Sequence, residues 1–514
     1  MFYKDNYDND MSYYDDDEND CFECNNYNLN YKNNPPNLDV YDDYDYLELN
    51  NSETFLEILN NCVFTSINAT SNFSTLFVAN ILLRILMQFM PSKIYHIISV
   101  IIGIFIINYY AHESLLLMFI YTLLSYLCLR VPKKYQSGIE MFIITLLTIL
   151  YCEYSMDPVS WHRIRGILMI AAMKAVSISL DSNKNKNLSF NIWEYTGYIF
   201  SPITCIFGPW ISFNNYKAIT TGAIEQELTI RQISSLWLLD LGNALKNFTI
   251  ALIFLSISNC FAQWLIPNYI SDGKWFTAYG DALSFRSSHY FICYVASTVL
   301  SLGGVTSLIH HQNTTPMDSI SPATITRPID IELPRSLVQV VISWNIPMHT
   351  WLKSYIFRPS VKHVGKFNAV ILTYLTSSLL HGLNFQIAAV LLSLGLYTYI
   401  EFKLRNHLAN TFNICIGSRQ CNSSSSLSSI IYFCGGTKCH YPLNSKNSIK
   451  VLLINFGFSL LAVFHLAYLG LMFDTSELQE TGYNYSHTID KWSQLGFASH
   501  LIALSTYITY YLII

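Results

Sequence analysis

The sequence predicts an all-α, polytopic membrane protein of about ten to eleven transmembrane or re-entrant helices, with interfacial amphipathic helices between them. Two observations carry that expectation. Of the 514 residues, 51% are hydrophobic and 15% aromatic but only 13% are charged, about half the charge of an ordinary soluble protein. The apolar runs are also too many and too long for core helices of soluble domains, and their aromatics often sit near the ends, as at membrane–water interfaces.

The net charge of −5 is concentrated at one end, because acidic residues crowd into the first 50 positions. Residues 1–50, rich in Asp, Asn and Tyr and poor in aliphatics, lack the apolar surface needed to offset the entropy of ordering and read as a disordered acidic N-terminal tail. The CxxC at Cys21 and Cys24 has no second pair and is weak evidence for zinc. The N-terminus does not look like a cleavable signal sequence, so insertion is expected from an internal span. The remainder is mildly basic, yet without the clustered Lys and Arg of a nucleic-acid interface. Residues 51–75 read as a short linker or amphipathic segment, helical around Phe55–Ile58.

Four apolar spans follow, near 76–91, 94–110, 113–130 and 138–152; the third ends in Arg130, Lys133 and Lys134, a flank that favours a cytosolic loop. In WHRIRGILMIAAMKAVSISLD, Arg163, Arg165 and Lys174 interrupt an apolar helix, which should line a polar interior or lie at the interface. Pro202, Gly208 and Pro209 break EYTGYIFSPITCIFGPWISFNNY, and a kinked core helix is the expectation there. Two or three further spans are expected over 229–310, around 234–257 and 288–309. The first carries Asp240, Asn243, Lys246 and Asn247 as a polar stripe facing the bundle, and Trp275–Arg286 between the spans reads as an interfacial loop. Cys62, Cys128, Cys152, Cys205, Cys260 and Cys293 read as small packing residues. Cys415, Cys421, Cys434 and Cys439, beside His440, permit disulfides or, less readily, a zinc site. Final spans near 450–472 and 494–514 close the chain.

The region from Glu332 to His407 organises the rest. IELPRSLVQVVISWNIPMHTWLKSYIFRP is amphipathic, interrupted at Pro334 and Pro347, and suited to the membrane surface. Phe367–Ile400 then runs for 34 residues with His381 near its middle. A straight helix of that length would span about 50 Å, against about 30 Å of hydrocarbon. The segment is therefore expected to tilt or to break at Gly382, whose missing side chain permits unusual backbone geometry. An ionisable residue at such depth is a functional site by default.

An embedded histidine with an asparagine, Asn345, 36 residues upstream resembles the membrane-bound O-acyltransferases. The likeness covers roughly residues 76–514 and extends through WHRIRGILMIAAMKAVS, DALSFRSSHYF, ELPRSLVQVVISWNIPMHTWL, LLHGLNFQIAAVLLSLGLYTYIE, LAVFHLAYLG and HTIDKWSQLGFASH, most closely matching the branch of the family that lipidates Wnt proteins. It implies one acyltransferase domain over 76–514 and a multi-pass enzyme of the endoplasmic-reticulum membrane. It also implies transfer of a palmitoleoyl group from palmitoleoyl-CoA, a co-substrate and not a bound cofactor, to a serine of a Wnt protein. The partners are then Wnt, acyl-CoA and the lipid bilayer, with no nucleic acid and no metal.

The chemistry asks for a base near a serine hydroxyl and donors for an oxyanion. His381 is the expected general base, its unperturbed pKa near neutrality leaving the free imidazole available. Asn345 is the expected oxyanion donor or orienting group. His465 is the best rival histidine, because His289, His349 and His363 read as lying near loops or interfaces. Arg286, Trp344 and Tyr374 are candidate substrate contacts, and Leu379, Leu380, Leu383 and Ile387 candidate walls for an acyl chain, although any one leucine is more ordinarily a packing residue. The competing readings are an acyltransferase for a lysophospholipid, a sterol or another secreted protein, and a transporter relaying protons through His381, the latter disfavoured by the lack of an evident internal repeat.

Overall fold

The computed structural model describes residues 55–131, 138–184, 189–220, 230–262, 266, 270, 273–306, 324–419, 432–434, 437–439, 449–473 and 485–514. The acidic tail with Cys21 and Cys24, and also Lys133, Lys134, Cys421 and His440, lies outside the described residues. The chain divides into two units, Met1–Asn61 and Cys62–Ile514, and the account below concerns the second.

The unit is a helical bundle. Helices α1 (Phe55–Thr70) and α2 (Ser74–Met87), joined by a 3₁₀ turn, lead to α3 (Ser92–Ala111) and α4 (Leu115–Arg130). Ala111, at φ −157° and ψ 66°, interrupts the helical backbone between the last two. Then come α5 (Ile139–Ser155) and α6 (Pro158–Lys184), α7 (Ile192–Ile199) and α8 (Phe213–Thr220), α9 (Ile230–Ser256) with a π turn to Phe261, and α10 (Lys274–Leu302). Short helices α11 (Pro328–Glu332), α12 (Leu337–Trp344) and α13 (Ile346–Leu352) precede the long pair α14 (Arg358–Leu380) and α15 (Phe385–Phe412). The strands β1 (Tyr432–Cys434) and β2 (Thr437–Cys439) pair antiparallel, and α16 (Ile449–Gly470), α17 (Tyr485–Gln494) and α18 (Ala498–Ile513) finish the fold. Among the described residues, five helical stretches are long and apolar enough to cross a membrane: 60–87, 92–130, 231–261, 385–412 and 449–470.

Helix α6 is the axis of the main core. Ile164, Leu168, Ala172, Ala175, Val176 and Ile178 on it are buried, packed with residues of α3–α5 and α7–α8. Lys174 is fully buried there, donating from Nζ to the carbonyls of Tyr198 at 2.8 Å and Ile199 at 3.1 Å. It thus caps the end of α7, whose last carbonyls have no partner within the helix and carry its negative dipole end. Beyond Phe200 the chain is non-helical to Ser212 rather than a kinked helix. The physical reason is that Pro202 and Pro209 lack donors and Gly208 holds φ +73°, while buried surroundings make the irregular backbone tolerable.

Four further expectations are corrected. Trp275–Arg286 is not a loop but the first half of α10, where Ser284 bonds Ser258 and Arg286 bonds Glu332 within the protein. The stripe on α9 does not face inward as a whole. Asp240, 1% exposed, pairs with Arg84 at 2.7 Å, whereas Lys246 approaches Asn243 at 3.5 Å on the exposed side. Cys62 and Cys260 form a disulfide instead of merely packing, tying α1 to the end of α9. Pro347 does not interrupt a helix; it occupies the first turn of α13, where its missing N–H costs nothing. Cys415 is buried, with its Sγ 3.8 Å from Arg335 Nη2.

Candidate active site

The long apolar segment breaks where the glycine allows it. Helix α14 ends at Leu380, His381 is its cap, and Gly382 adopts φ +89°. Asn384 then starts α15, its side chain accepting from the Ile387 N–H at 3.1 Å. A second break, at Gly365 with φ 78°, separates the cationic first two turns of α14 from the apolar remainder. His381 therefore sits in a four-residue turn between two helices. Its backbone N–H bonds the Ser378 carbonyl at 3.0 Å, and its imidazole makes no hydrogen bond to another described residue.

Other elements hold that turn. Glu153, near the end of α5, accepts through Oε2 from the Leu383 N–H at 2.9 Å and from the Trp161 indole N–H at 2.8 Å. Arg165 lies one helical turn beyond Trp161 on α6, and it interacts electrostatically with both Glu153 and His381.

Asn345 interrupts the path between α12 and α13 with φ −145° and ψ 92°. Its Oδ1 accepts from the Met348 N–H at 3.0 Å, capping α13. Since only the oxygen of the amide can accept, this bond fixes the orientation of the group and leaves Nδ2 as a donor with no protein partner among the described residues. Trp351 on α13 donates its indole N–H to the Met173 carbonyl at 3.0 Å, and Tyr355 donates to Asp181 at 2.7 Å. Helix α6 thus anchors both the Asn345 segment and, through Trp161, the His381 turn.

His289, set aside as near a loop, lies inside α10. Its ring stacks on Trp344 with centroids 4.3 Å apart and planes 6° from parallel, and Nε2–H donates to the Trp344 carbonyl at 2.9 Å. It also interacts electrostatically with His381, and its stack and hydrogen bond tie α10 to the segment carrying Asn345.

The remaining candidates separate by what they touch. Arg286 is buried and bridges Glu332 through two bonds of 2.8 and 2.9 Å, with the Tyr290 hydroxyl joining at 2.7 Å. Tyr374 lies against Gly395, where an added Cβ would stand 2.6 Å from its ring, so it sets the approach of α14 to α15. Leu380 belongs to the main core. Leu379 and Ile387 are half-buried, and Leu383 is exposed. His465 is engaged elsewhere, 2.5 Å from Ser499 Oγ and packed on Tyr397. No role for Glu153, Trp161 or Glu332 is read from the sequence, and His289 is read only as lying near a loop or interface. Glu153 is one of two acids in a helix otherwise nearly all apolar, a signal of the same kind as His381; nothing along the chain pairs it with residue 383.

The model of the membrane-bound O-acyltransferase family matches residues 105–415, a range that holds His381, Asn345, Glu153 and His289. The chain belongs to the membrane-bound O-acyltransferase family. Within this family it is similar to the protein-serine O-palmitoleoyltransferase porcupine of Mus musculus, at 34% identity over 82% of this chain and 90% of that protein. The Homo sapiens protein of the same name is 33% identical over the same shares, and that of Anopheles gambiae is 31% identical over 89% of this chain and 94% of its own length. The matched range thus takes in both the broken helix around His381 and the capping Asn345.

Proposed function

We propose that this protein transfers a palmitoleoyl group from palmitoleoyl-CoA to a serine hydroxyl of a Wnt protein in the endoplasmic-reticulum membrane. The similarity to three porcupine proteins over most of their length supports the substrate pair. The observation that carries the chemistry is an imidazole in a turn between two helices with no hydrogen bond to another described residue. Neutral His381 accepts the serine proton as the serine oxygen bonds the thioester carbon. The resulting oxyanion takes a hydrogen bond from Asn345 Nδ2; its collapse breaks the carbon–sulfur bond, and His381 returns the proton to the departing coenzyme A sulfur. No acyl-enzyme is required.

His289 holds Trp344, and with it the approach to Asn345. Leu379 and Leu383, which are not core residues, face the acyl chain, and Trp344 is a further substrate contact; Leu380 contributes packing. Arg286 and Tyr374 act on substrate only through the elements they hold. Membranes carrying wild type or His381→Ala, given palmitoleoyl-CoA and a Wnt-derived acceptor, test the reading. Wild type should acylate the acceptor serine and the variant should not; retained transfer by the variant removes His381 as base, and transfer to a lysophospholipid alone removes the acceptor.

A further inference from the structure

A helix ending in a left-handed glycine normally closes on itself: the N–H two residues past the cap turns back to a carbonyl of the last helical turn. Helix α14 does this only in part. The His381 N–H reaches Ser378 and the Gly382 N–H reaches Leu379, but the next N–H, on Leu383, leaves its own helix for the Glu153 carboxylate 2.9 Å away. The same oxygen, Oε2, takes the Trp161 indole N–H, and it stands 3.0 Å from the place a Cβ on residue 382 would occupy. The turn bearing His381 is thus clamped from outside, by one oxygen that ties α5, α6 and the α14–α15 connection together.

We infer that Glu153 is a positioning residue for the acyl transfer, holding the His381 turn through the Leu383 N–H with Trp161 fixing the carboxylate; this rests on His381 being the base. A carboxylate accepting two directed hydrogen bonds defines the height and tilt of the turn. Without it the Leu383 N–H loses its acceptor on α5, and the imidazole is free to drift by the ångström or so that costs about a hundredfold in rate. The role is one of hydrogen-bond acceptance, so an amide oxygen at the same place can substitute for it.

The test uses the full-length chain in membranes, quantified by a tag and by thermal unfolding, with transfer followed as a function of palmitoleoyl-CoA concentration. Glu153→Ala should lower kcat by about 30- to 100-fold with KM changed less than threefold. Glu153→Gln should recover kcat to within about fivefold of wild type, a rescue that a loss of charge or of bulk packing would not give. Gly382→Ala, which presses on the same oxygen from the other side, should reproduce the kcat loss at unchanged KM and supplies the measurement if Glu153→Ala fails to fold. His381→Ala runs in parallel. If it is inactive while Glu153→Ala and Gly382→Ala both keep kcat within twofold, the positioning role is overturned and the base stands. A Gln variant as slow as the Ala variant also overturns it. If His381→Ala is itself active, the underlying assignment of the base fails instead.

Discussion

Lys174 and His381 are both ionisable side chains embedded in apolar helical sequence, and they have opposite fates. Lys174 Nζ is taken up by two backbone carbonyls at the end of α7 and lies 5.2 Å over the Tyr198 ring, so its cation completes a helix terminus. His381 is fixed by its backbone and by neighbours of its backbone, while its ring nitrogens bond nothing in the described protein. A buried polar group whose bonds are all made is architecture. One that is held rigidly with its bonds unmade is available for chemistry.

The sharpest way to break this contrast is to remove each side chain. His381→Ala should reduce acyl transfer by about a thousandfold with the amount of folded protein unchanged, measured as turnover per molecule of tagged enzyme. Lys174→Met should do the reverse, destabilising the fold by about 3 kcal/mol through two stranded carbonyls, with turnover per folded molecule within twofold; thermal unfolding in detergent gives the first quantity. Equal loss of turnover in both variants would erase the distinction.

Asn345 combines the two behaviours in one amide, and substitution can separate them. Asn345→Asp keeps an acceptor for the Met348 N–H but removes the donor, so stability should hold while kcat falls by about 10- to 100-fold. Asn345→Ala should lose kcat similarly and also about 1 kcal/mol of stability, the usual worth of a helix cap. A smaller effect is expected at Arg286, whose partner Glu332 is 28% exposed and therefore partly screened. Arg286→Met should cost about 1 kcal/mol and leave KM for palmitoleoyl-CoA unchanged, and a fivefold rise in KM would mark a direct substrate contact.

The helical membrane class and the break at Gly382 are legible along the chain because each depends on local signals: length of apolar run, and a glycine beside a histidine. What could not be read depends on separation in sequence. Leu383 meets Glu153 across 230 positions, Arg286 meets Glu332 across 46, and Cys62 meets Cys260 across 198. Polarity also misled. The Trp275–Arg286 segment looks like a loop because its partners are on other helices, and the stripe on α9 looks inward-facing because helical spacing cannot tell which of its polar residues finds an ion pair. Pro347 was misjudged for a different reason, since a proline breaks a helix in its middle and suits it at its start.

A disulfide persists where the surroundings are oxidising, so the bond between Cys62 and Cys260 gives the bundle a direction. From Cys62 the chain runs through α1–α2, then α3, then α4 to reach Arg130. If α3 and α4, interrupted at Ala111, each cross, Arg130 lies on the opposite face from the disulfide. The cationic flank at Arg130 independently favours the cytosolic side. The disulfide and the cationic flank then test that count, read separately by membrane-impermeant thiol labelling after reduction and by protease access to the loop after α4.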